Sequence, residues 1–274
     1  MTHDFVCPLC GSPFARDEKT LRCDAGHSFD LAKQGYVNLL PGGRLPGHMH
    51  GDNREMIRAR RDFLNAGHYQ PLSDALNVLF AQLVPDGGCI LDCGCGEGYY
   101  SARLWEALAS KTVDVLATDI SRDAVSYAAR RGGIRCAVAN SFHLPLADGA
   151  CDAVLSLCTP IAAAEFARVL RPGGWLVAVF PAARHLWALK SAVYTSPYEN
   201  EPTLDVGSWF TVARQDTVRF ALHIEGTSGI RSLFSMTPYA YHTGAAERVR
   251  MEALERLDDE AAFVVSLCRS AAEA

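Results

Sequence analysis

Four residues near the amino terminus have the types and spacing of a metal site. Two residues separate Cys7 from Cys10, and three separate Cys23 from His27. Three thiolates and one imidazole suit tetrahedral zinc, and four protein ligands leave no position open for catalysis. We therefore expect a structural zinc, whose binding energy folds a segment too small to fold unaided. The alternative is a cluster of reduced cysteines beside an incidental histidine.

A second group lies in a glycine-rich loop after an apolar stretch. Residues 90–98 read ILDCGCGEG, with Asp92 followed by Gly94, Gly96 and Gly98. Glycines allow the backbone to approach a ligand closely. A nicotinamide dinucleotide site would place its third glycine three residues after the second, so the spacing departs from that fingerprint. Asp119 ends the next apolar run, where a carboxylate can accept hydrogen bonds from both ribose hydroxyls.

Cys158 follows the fourth apolar run and is a candidate nucleophile. No lysine or arginine adjoins it in the sequence to lower its pKa. Free cysteine is commonly a core residue. We therefore expect Cys158 to be a small buried residue.

The elements that must position these residues alternate in type. Strands predicted at 89–93, 113–119, 134–140, 151–157 and 175–181 are separated by helices that start at Tyr99, Ser121 and Ile161. Helices are predicted before them at 53–64 and 71–84, and later strands at 209–224 and 261–268. Such alternation indicates an α/β fold with a parallel sheet covered on both faces.

Length and charge limit the classes of protein. The 274 residues suggest about two domains. With 26 basic and 31 acidic residues the net charge is −5, which argues against a basic protein that coats nucleic acid. The start lacks the features of a signal peptide, and no apolar run approaches a membrane span. We therefore expect a cytoplasmic protein without a membrane partner, whose ten cysteines stay reduced.

Segment boundaries follow from composition. Proline, glycine and histidine crowd together between residues 40 and 52, which indicates a connector. We predict a zinc-binding module at residues 1–40, a linker with leading helices at 41–85, and the main domain at 86–274.

Arginines cluster just after this connector. Arg54, Arg58 and Arg61 are three or four residues apart, so on a helix they share a face, and Arg60 lies nearby. They are candidate contacts for RNA phosphates; the alternative is an ordinary solvated helix face.

The glycine loop followed by Asp119 resembles class I S-adenosylmethionine-dependent methyltransferases. A more specific resemblance, to the RlmA-type 23S rRNA guanine-N1 methyltransferases, rests on the zinc ligands and on five further stretches. These are FDLAKQGYVNLL at 29–40, ARRDFL at 59–64, GHYQPL at 67–72, GCGEGYY at 94–100 and RHL at 184–186. It implies a Rossmann-like class I methyltransferase sheet with a small N-terminal zinc-ribbon-like domain, and a homodimer.

The resemblance also implies a reaction and a set of binding residues. The methyl group of S-adenosylmethionine would pass to N1 of a guanine, of the 745 type, in a 23S rRNA hairpin; the choice between this guanine and its neighbour at 748 stays open. A methyltransferase for tRNA or a small metabolite, and a non-catalytic nucleic-acid-binding regulator, are the alternatives. The implied cofactor-binding residues are Tyr69, Asp92, Gly94, Gly96, Gly98, Tyr100, Ser101, Asp119, Asn140, Ser141 and His185.

Overall fold

The computed structural model describes residues 4–43, 53–201, 203–241 and 243–271, and within them eleven strands form two sheets. The strands are β1 (Phe14–Asp17), β2 (Thr20–Cys23), β3 (Ser28–Asp30), β4 (Val37–Asn38), β5 (Cys89–Cys93), β6 (Asp114–Asp119), β7 (Arg135–Val138), β8 (Cys151–Leu157), β9 (Leu170–Pro181), β10 (Phe210–Glu225) and β11 (Arg256–Ser270). The α-helices are α1 (Arg54–Asn65), α2 (Gln70–Leu83), α3 (Tyr99–Ala107), α4 (Arg122–Ala128), α5 (Ala163–Val169), α6 (Trp187–Val193), α7 (Thr227–Ser235) and α8 (Ala245–Glu252). Across these described segments, no helix combines the length and the apolar character needed to cross a membrane.

The large sheet has the strand order β10-β11-β9-β8-β5-β6-β7-β4. β6 and β7 extend the sheet on one side of β5, whereas β8 and β9 extend it on the other. In open α/β sheets a ligand binds outside the carboxyl ends of the strands, where the strand order reverses in this way. The glycine loop follows β5 and therefore lies at the reversal.

The predicted parallel sheet is confirmed for β5 to β9, and later strands, for which no direction was predicted, extend it at one edge. β11 pairs antiparallel with both β9 and β10, so the sheet is mixed. β11 begins at Arg256, five residues before the predicted start at 261. The sequence RLDDE at this start is highly charged. Because acidic residues are depleted in strands, the pattern does not predict the first part of β11.

The predicted elements around the glycine loop are confirmed. β5 and β8 have the predicted bounds, and α3 begins at Tyr99. The helix predicted at 53–64 is α1: the side chain of Asn53 caps it by accepting a hydrogen bond from the Met56 N–H. Residues 44–52, most of the predicted connector, lie outside the described residues.

The small sheet, β1-β2-β3, is antiparallel and is tied to the large one. β4 pairs parallel with β7 at the edge of the large sheet. Phe5 is buried in the same apolar cluster as Leu116 of β6. The N–H of Val6 also donates to the carbonyl oxygen of Pro145, at 2.9 Å. The amino-terminal segment is therefore packed against the sheet that carries the glycine loop.

Apolar side chains fill both faces of the large sheet. Ile90 of β5 is buried in one cluster with Phe80 of α2, and Leu91 is buried in a second cluster with Phe166 of α5. Successive residues of a strand face opposite sides, so β5 contributes to both clusters. Removing either phenylalanine ring would cost about 3–5 kcal/mol of stability, because each ring is fully buried.

Candidate functional site

The four predicted zinc ligands converge to tetrahedral spacing. The His27 Nδ1 atom lies 3.5 Å from the Cys7 Sγ and 3.4 Å from the Cys23 Sγ, and the Sγ atoms of Cys10 and Cys23 are 3.6 Å apart. Zn–S bonds of ~2.3 Å and a Zn–N bond of ~2.0–2.1 Å at tetrahedral angles put ligand atoms about 3.5–3.8 Å apart. The four ligand atoms all lie within 4.8 Å of one another. They form a closed structural zinc site.

Two tight turns present these ligands. The Gly11 N–H donates to the Cys7 carbonyl oxygen in the first turn, and the Cys23 N–H donates to the His27 carbonyl oxygen across the second. Hydrogen bonds from Ser12 lower the pKa of Cys10 to about 6, which favours the thiolate that zinc requires. Local backbone geometry therefore preorganises the metal site.

The three glycines of the loop serve different purposes. A Cβ on Gly94 would lie 2.1 Å from Thr159 Cγ2, and one on Gly98 would lie 2.8 Å from Ala128 Cα. Packing within the protein therefore excludes side chains at both positions. Gly96 differs, because the nearest atom to its missing Cβ is Arg60 Nη1, at 3.6 Å. Of the three, Gly96 is the one with free space beside its Cα, in the cleft above the loop.

Asp119 holds the loop in shape. Its Oδ2 accepts a hydrogen bond from the Gly96 N–H at 2.9 Å, and its Oδ1 accepts one from the Ser121 N–H at 2.7 Å. Each carboxylate oxygen can accept more than one hydrogen bond. The partly exposed carboxylate at the end of β6 is therefore able to bind ribose hydroxyls while it fixes Gly96.

Asp92 lies buried beneath the loop. The Ser101 hydroxyl, in the first turn of α3, donates to its Oδ2. Burial raises the pKa of Asp92 to about 7, and the hydrogen bond from Ser101 opposes the rise. A positively charged ligand above the loop would favour the ionised form of this carboxyl group.

Asn140 and Ser141 follow β7 at the same edge of the sheet. The Asn140 Oδ1 accepts a hydrogen bond from the Phe142 N–H at 3.0 Å, which shapes the turn. The Ser141 side chain forms a hydrogen bond with the Cys93 side chain at the end of β5. The structure thus brings both residues next to the glycine loop.

Tyr69 and His185 form a buried pair beside the loop. The Ala262 N–H donates to His185 Nδ1 at 3.1 Å, so the neutral ring carries its proton on Nε2. That Nε2 lies 3.3 Å from the Tyr69 hydroxyl oxygen and donates to it. Burial lowers the pKa of His185 to about 4 and keeps the ring neutral. Both ring nitrogens of His185 are thus bonded within the protein, and its role in cofactor binding stays a prediction.

Cys158 does not match the expectation of a buried residue. It is exposed at the carboxyl end of β8, with a backbone φ of +55°, because the chain turns sharply there towards Thr159. The Thr159 hydroxyl donates to the Cys93 carbonyl oxygen, which fixes this turn against β5. Desolvation raises the pKa of Cys158 to about 11, and the charge of Arg60 opposes the rise. Tyr100, buried in the first turn of α3, and Tyr69 lie close enough for the charge of Cys158 to affect their pKa values.

The four predicted RNA-contacting arginines point in different directions. Arg54 is exposed and pairs with Asp123 at 2.8 Å, Arg58 is exposed, and Arg61 lies over the Tyr127 ring at 4.9 Å. Arg60 instead extends towards the glycine loop, and its Nη2 donates to the Met236 carbonyl oxygen at 3.3 Å. The helical spacing of α1 predicts this inward direction of Arg60, since position 60 is three or four residues from the buried Ile57, Phe63 and Leu64.

Comparisons with known proteins cover both parts of the chain. Residues 5–44 match the zinc-ribbon family described as RlmA, N-terminal, and residues 90–174 match a methyltransferase domain family. A relative from Micromonospora griseorubida, described as a putative 23S rRNA (guanine-N(1)-)-methyltransferase, is 39% identical over 88% of each chain. The 23S rRNA (guanine(748)-N(1))-methyltransferase of Streptomyces fradiae is 34% identical over 89% of this chain and 88% of its own.

A solved structure supports the fold alone. The YcgJ protein of Bacillus subtilis aligns with a TM-score of 0.50 and 15% sequence identity, covering 73% of this chain and 99% of that one. The Rossmann-like sheet with a zinc ribbon at its amino terminus, predicted from the sequence, is confirmed.

Proposed function

The chain belongs to the family of 23S rRNA (guanine-N1)-methyltransferases, and from that premise we propose that it methylates N1 of guanine 748 in 23S rRNA. The glycine loop at the reversal between β5 and β8, with Asp119 beside it, is the observation that carries the methyltransferase part of this proposal. The position is taken from the Streptomyces fradiae relative, whose name states 748, in place of the 745 type expected from the sequence.

The residues at the loop fit S-adenosylmethionine. This cofactor supplies an electrophilic methyl group on a positively charged sulfonium. Asp119 offers acceptors for two ribose hydroxyls, and Gly96 leaves the space above the loop open. Asp92 places a carboxyl group beneath the same loop, where its charge favours a cation. Asn140 and Ser141, next to the loop at the end of β7, would hold the adenine.

Direct methyl transfer to guanine N1 requires that the two reactants be positioned, and it needs no covalent enzyme intermediate. Transfer would form a bond between guanine N1 and the methyl carbon while the carbon–sulfur bond breaks, which would release S-adenosylhomocysteine, and the N1 proton would pass to solvent. Holding the two reactants in line supplies most of the rate. Cys158 stands at the end of β8, beside the cleft, but its pKa of about 11 keeps the thiol protonated at neutral pH. We therefore propose that Cys158 lies beside the cleft without a nucleophilic role.

Tyr69 and His185 orient one another beside Tyr100 and Cys158. Since His185 Nε2 donates to the Tyr69 oxygen, the Tyr69 O–H remains available to donate in turn. The Tyr69 hydroxyl, held near Tyr100 and Cys158, can donate to an acceptor oxygen of the cofactor or of the guanine. We propose that this pair positions a ligand and excludes water, which strengthens electrostatic interactions in the closed site.

RNA binding would involve the exposed side of α1 and the zinc module. Arg54, Arg58 and Arg61 remain the proposed phosphate contacts, and residues 1–40 the proposed RNA-recognition module, with the linker at 41–85 and the catalytic domain at 86–274. We also propose that the protein is a cytoplasmic homodimer. Sedimentation of the purified protein tests the dimer directly.

Methyl transfer from labelled cofactor tests the proposed function. We expect label in unmodified 23S rRNA and none in tRNA. Gly96→Leu should abolish labelling while RNA binding persists, because the new side chain fills the space above the loop. Label in tRNA, or undiminished labelling by Gly96→Leu, would contradict the proposal. RNA binding without any transfer by the wild-type protein would favour a non-catalytic regulator.

A further inference from the structure

Arg60 is a charged residue on the core-facing side of its helix. Within α1, Met56, Ile57, Phe63 and Leu64 are buried, and position 60 lies between them on the helical surface. A guanidinium on such a face keeps its charge solvated or bonded at the end of a long apolar stem. Arg60 is partly exposed, so its stem crosses the packed face and its charged end emerges beyond it.

The charged end of Arg60 emerges at the glycine loop. Its Nη1 is 3.6 Å from the place where a Cβ of Gly96 would be, and its Nη2 donates to the carbonyl oxygen of Met236, the residue that caps the carboxyl end of α7. A helix carboxyl end attracts a cation and helps to hold the guanidinium there. The positive charge also opposes the rise in the pKa values of Tyr100 and Cys158. The guanidinium therefore lies between the loop, the start of α3 and the end of β8.

The charges around the loop are complementary to those of an amino-acid-bearing ligand. Asp92 supplies a carboxyl group that suits the positively charged part of S-adenosylmethionine, while Asp119 supplies the acceptors for its ribose hydroxyls. The methionyl carboxylate of the same molecule requires a cation. Arg131 also approaches the loop, where it forms an ion pair with the buried Glu97. The charge of Arg60 acts on Glu97 too, and opposes the rise in the pKa of that carboxyl group that burial causes. The first turn of α3 adds backbone N–H groups that favour an anion on the same side.

We propose that Arg60 binds the methionyl carboxylate of S-adenosylmethionine. This inference rests on the cofactor assignment and changes the role of Arg60 from a phosphate contact to a cofactor-binding residue. Two other oxygen anions have the same chemistry, an RNA phosphate and the O6 of a guanine that has lost its N1 proton. The position of Arg60 over Gly96, on the cofactor side of the cleft, favours the carboxylate.

A binding cycle with two ligands and two proteins tests the proposal. S-adenosylmethionine and its decarboxylated analogue, which keeps the sulfonium and the amine, are titrated into wild-type protein and Arg60→Gln by calorimetry. We expect the wild type to prefer the carboxylated ligand by about tenfold or more, as for a hydrogen bond to a charged group. Arg60→Gln should bind both ligands within about twofold of each other, with its affinity for the analogue unchanged.

Matched variants separate this role from the alternatives. Arg130→Gln removes an exposed guanidinium that stacks on Tyr127 away from the loop and should keep the full preference. Arg60→Lys should restore part of it, because charge is retained but the planar fork is lost. The proposal is overturned if Arg60→Gln keeps the preference, or if it weakens both ligands equally. If Arg60→Gln keeps the preference for the carboxylated ligand and its methyl-transfer activity shifts to higher pH, Arg60 acts on the guanine. If it keeps the preference and only binds RNA more weakly, Arg60 contacts a phosphate.

The same titrations keep this inference distinct from the proposed function. Wild-type protein that binds the cofactor and methylates 23S rRNA, but shows no preference between the two ligands, would refute the role of Arg60 and leave the methyltransferase assignment intact. Wild-type protein that binds neither ligand would contradict the cofactor assignment itself.

Discussion

The zinc module and the cofactor cleft acquire their sites in opposite ways. All four zinc ligands lie within residues 7–27, and two tight turns bring them to bonding distance. The groups around the cleft span the chain from Arg60 on α1 to Met236 after α7, and they meet only once the large sheet has formed. A locally encoded site can thus be found by spacing alone, whereas a site assembled over long range can be found only in part.

Loss of the zinc should have the largest effect, and that effect should stay local. Cys23→Ala is expected to remove the metal and the amide-exchange protection of β1, β2 and β3, because zinc supplies roughly 10–16 kcal/mol to such modules. β5 and β6 should stay protected, because the helices α2 and α5 still cover the two faces of the large sheet after the contacts of Phe5 are lost. Elemental analysis and hydrogen exchange measure both quantities.

A matched thiol provides the control for zinc loss. Cys136→Ala removes a buried cysteine of β7 that lies outside the cluster, so the zinc content should remain about one per chain. Loss of protection throughout the large sheet of Cys23→Ala would show that the two regions fold as one unit, which would contradict the comparison.

The buried carboxyl group of Asp92 should make stability depend on pH. Between about pH 4 and pH 7 the folded state keeps a proton that the unfolded state has released, so the free energy of unfolding falls as the pH rises through this window. Asp92→Asn keeps an acceptor for Ser101 but cannot ionise. Relative to wild type, it should gain stability with rising pH, by at most roughly 4 kcal/mol.

Denaturant titrations of both proteins from pH 4 to pH 8 measure this difference. A difference that does not change with pH would mean that Asp92 is ionised in the folded state at all these values. Asp92 would then act as a fixed charge under the loop, without a coupled proton.

A smaller effect is expected on ligand affinity at the rim of the cleft. Asp119→Asn replaces one acceptor oxygen with a donor next to the Gly96 N–H and should weaken S-adenosylmethionine binding by about tenfold or more. Asp114→Asn, at the other end of β6, weakens an ion pair with Arg135 and should leave the affinity unchanged. Equal affinities for Asp119→Asn and wild type, by calorimetry, would remove Asp119 from the binding site.

The smallest effect should come from the Tyr69–His185 pair. Tyr69→Phe leaves the Nε2–H of His185 without its acceptor and should lower stability by about 1 kcal/mol, measured by thermal unfolding. Tyr127→Phe, a partly exposed ring, serves as the control. If Tyr69→Phe is as stable as the wild type, the hydrogen bond between the two side chains adds nothing to the fold.

How much could be predicted differs between the two regions for physical reasons. The zinc ligands, β5 with its glycine loop, and Asp119 each follow from a short-range pattern, and the structure places them as expected. The inward direction of Arg60 depends on which face of α1 packs against the protein, whereas local charge alone groups Arg60 with its neighbouring arginines. Exposure of Cys158 depends on a sharp turn at φ +55°, which no residue type in LCTP requires.

The antiparallel edge was missed for a similar reason. The pairing of β11 between β9 and β10 is a long-range property, and alternation of strands with helices predicts only the parallel part of a sheet. Such contacts form between residues far apart in the chain, where spacing carries no information.

Mapping the modified nucleotide tests the central claim most directly. Unmodified 23S rRNA is incubated with the protein and S-adenosylmethionine, and reverse transcription locates a methyl group on the Watson–Crick edge as a stop. We predict one new stop, at guanine 748, absent with Gly96→Leu, and N1-methylguanosine as the nucleoside found by mass spectrometry. A stop at guanine 745 would correct the position, and the absence of any methylated guanine in 23S rRNA would contradict the account.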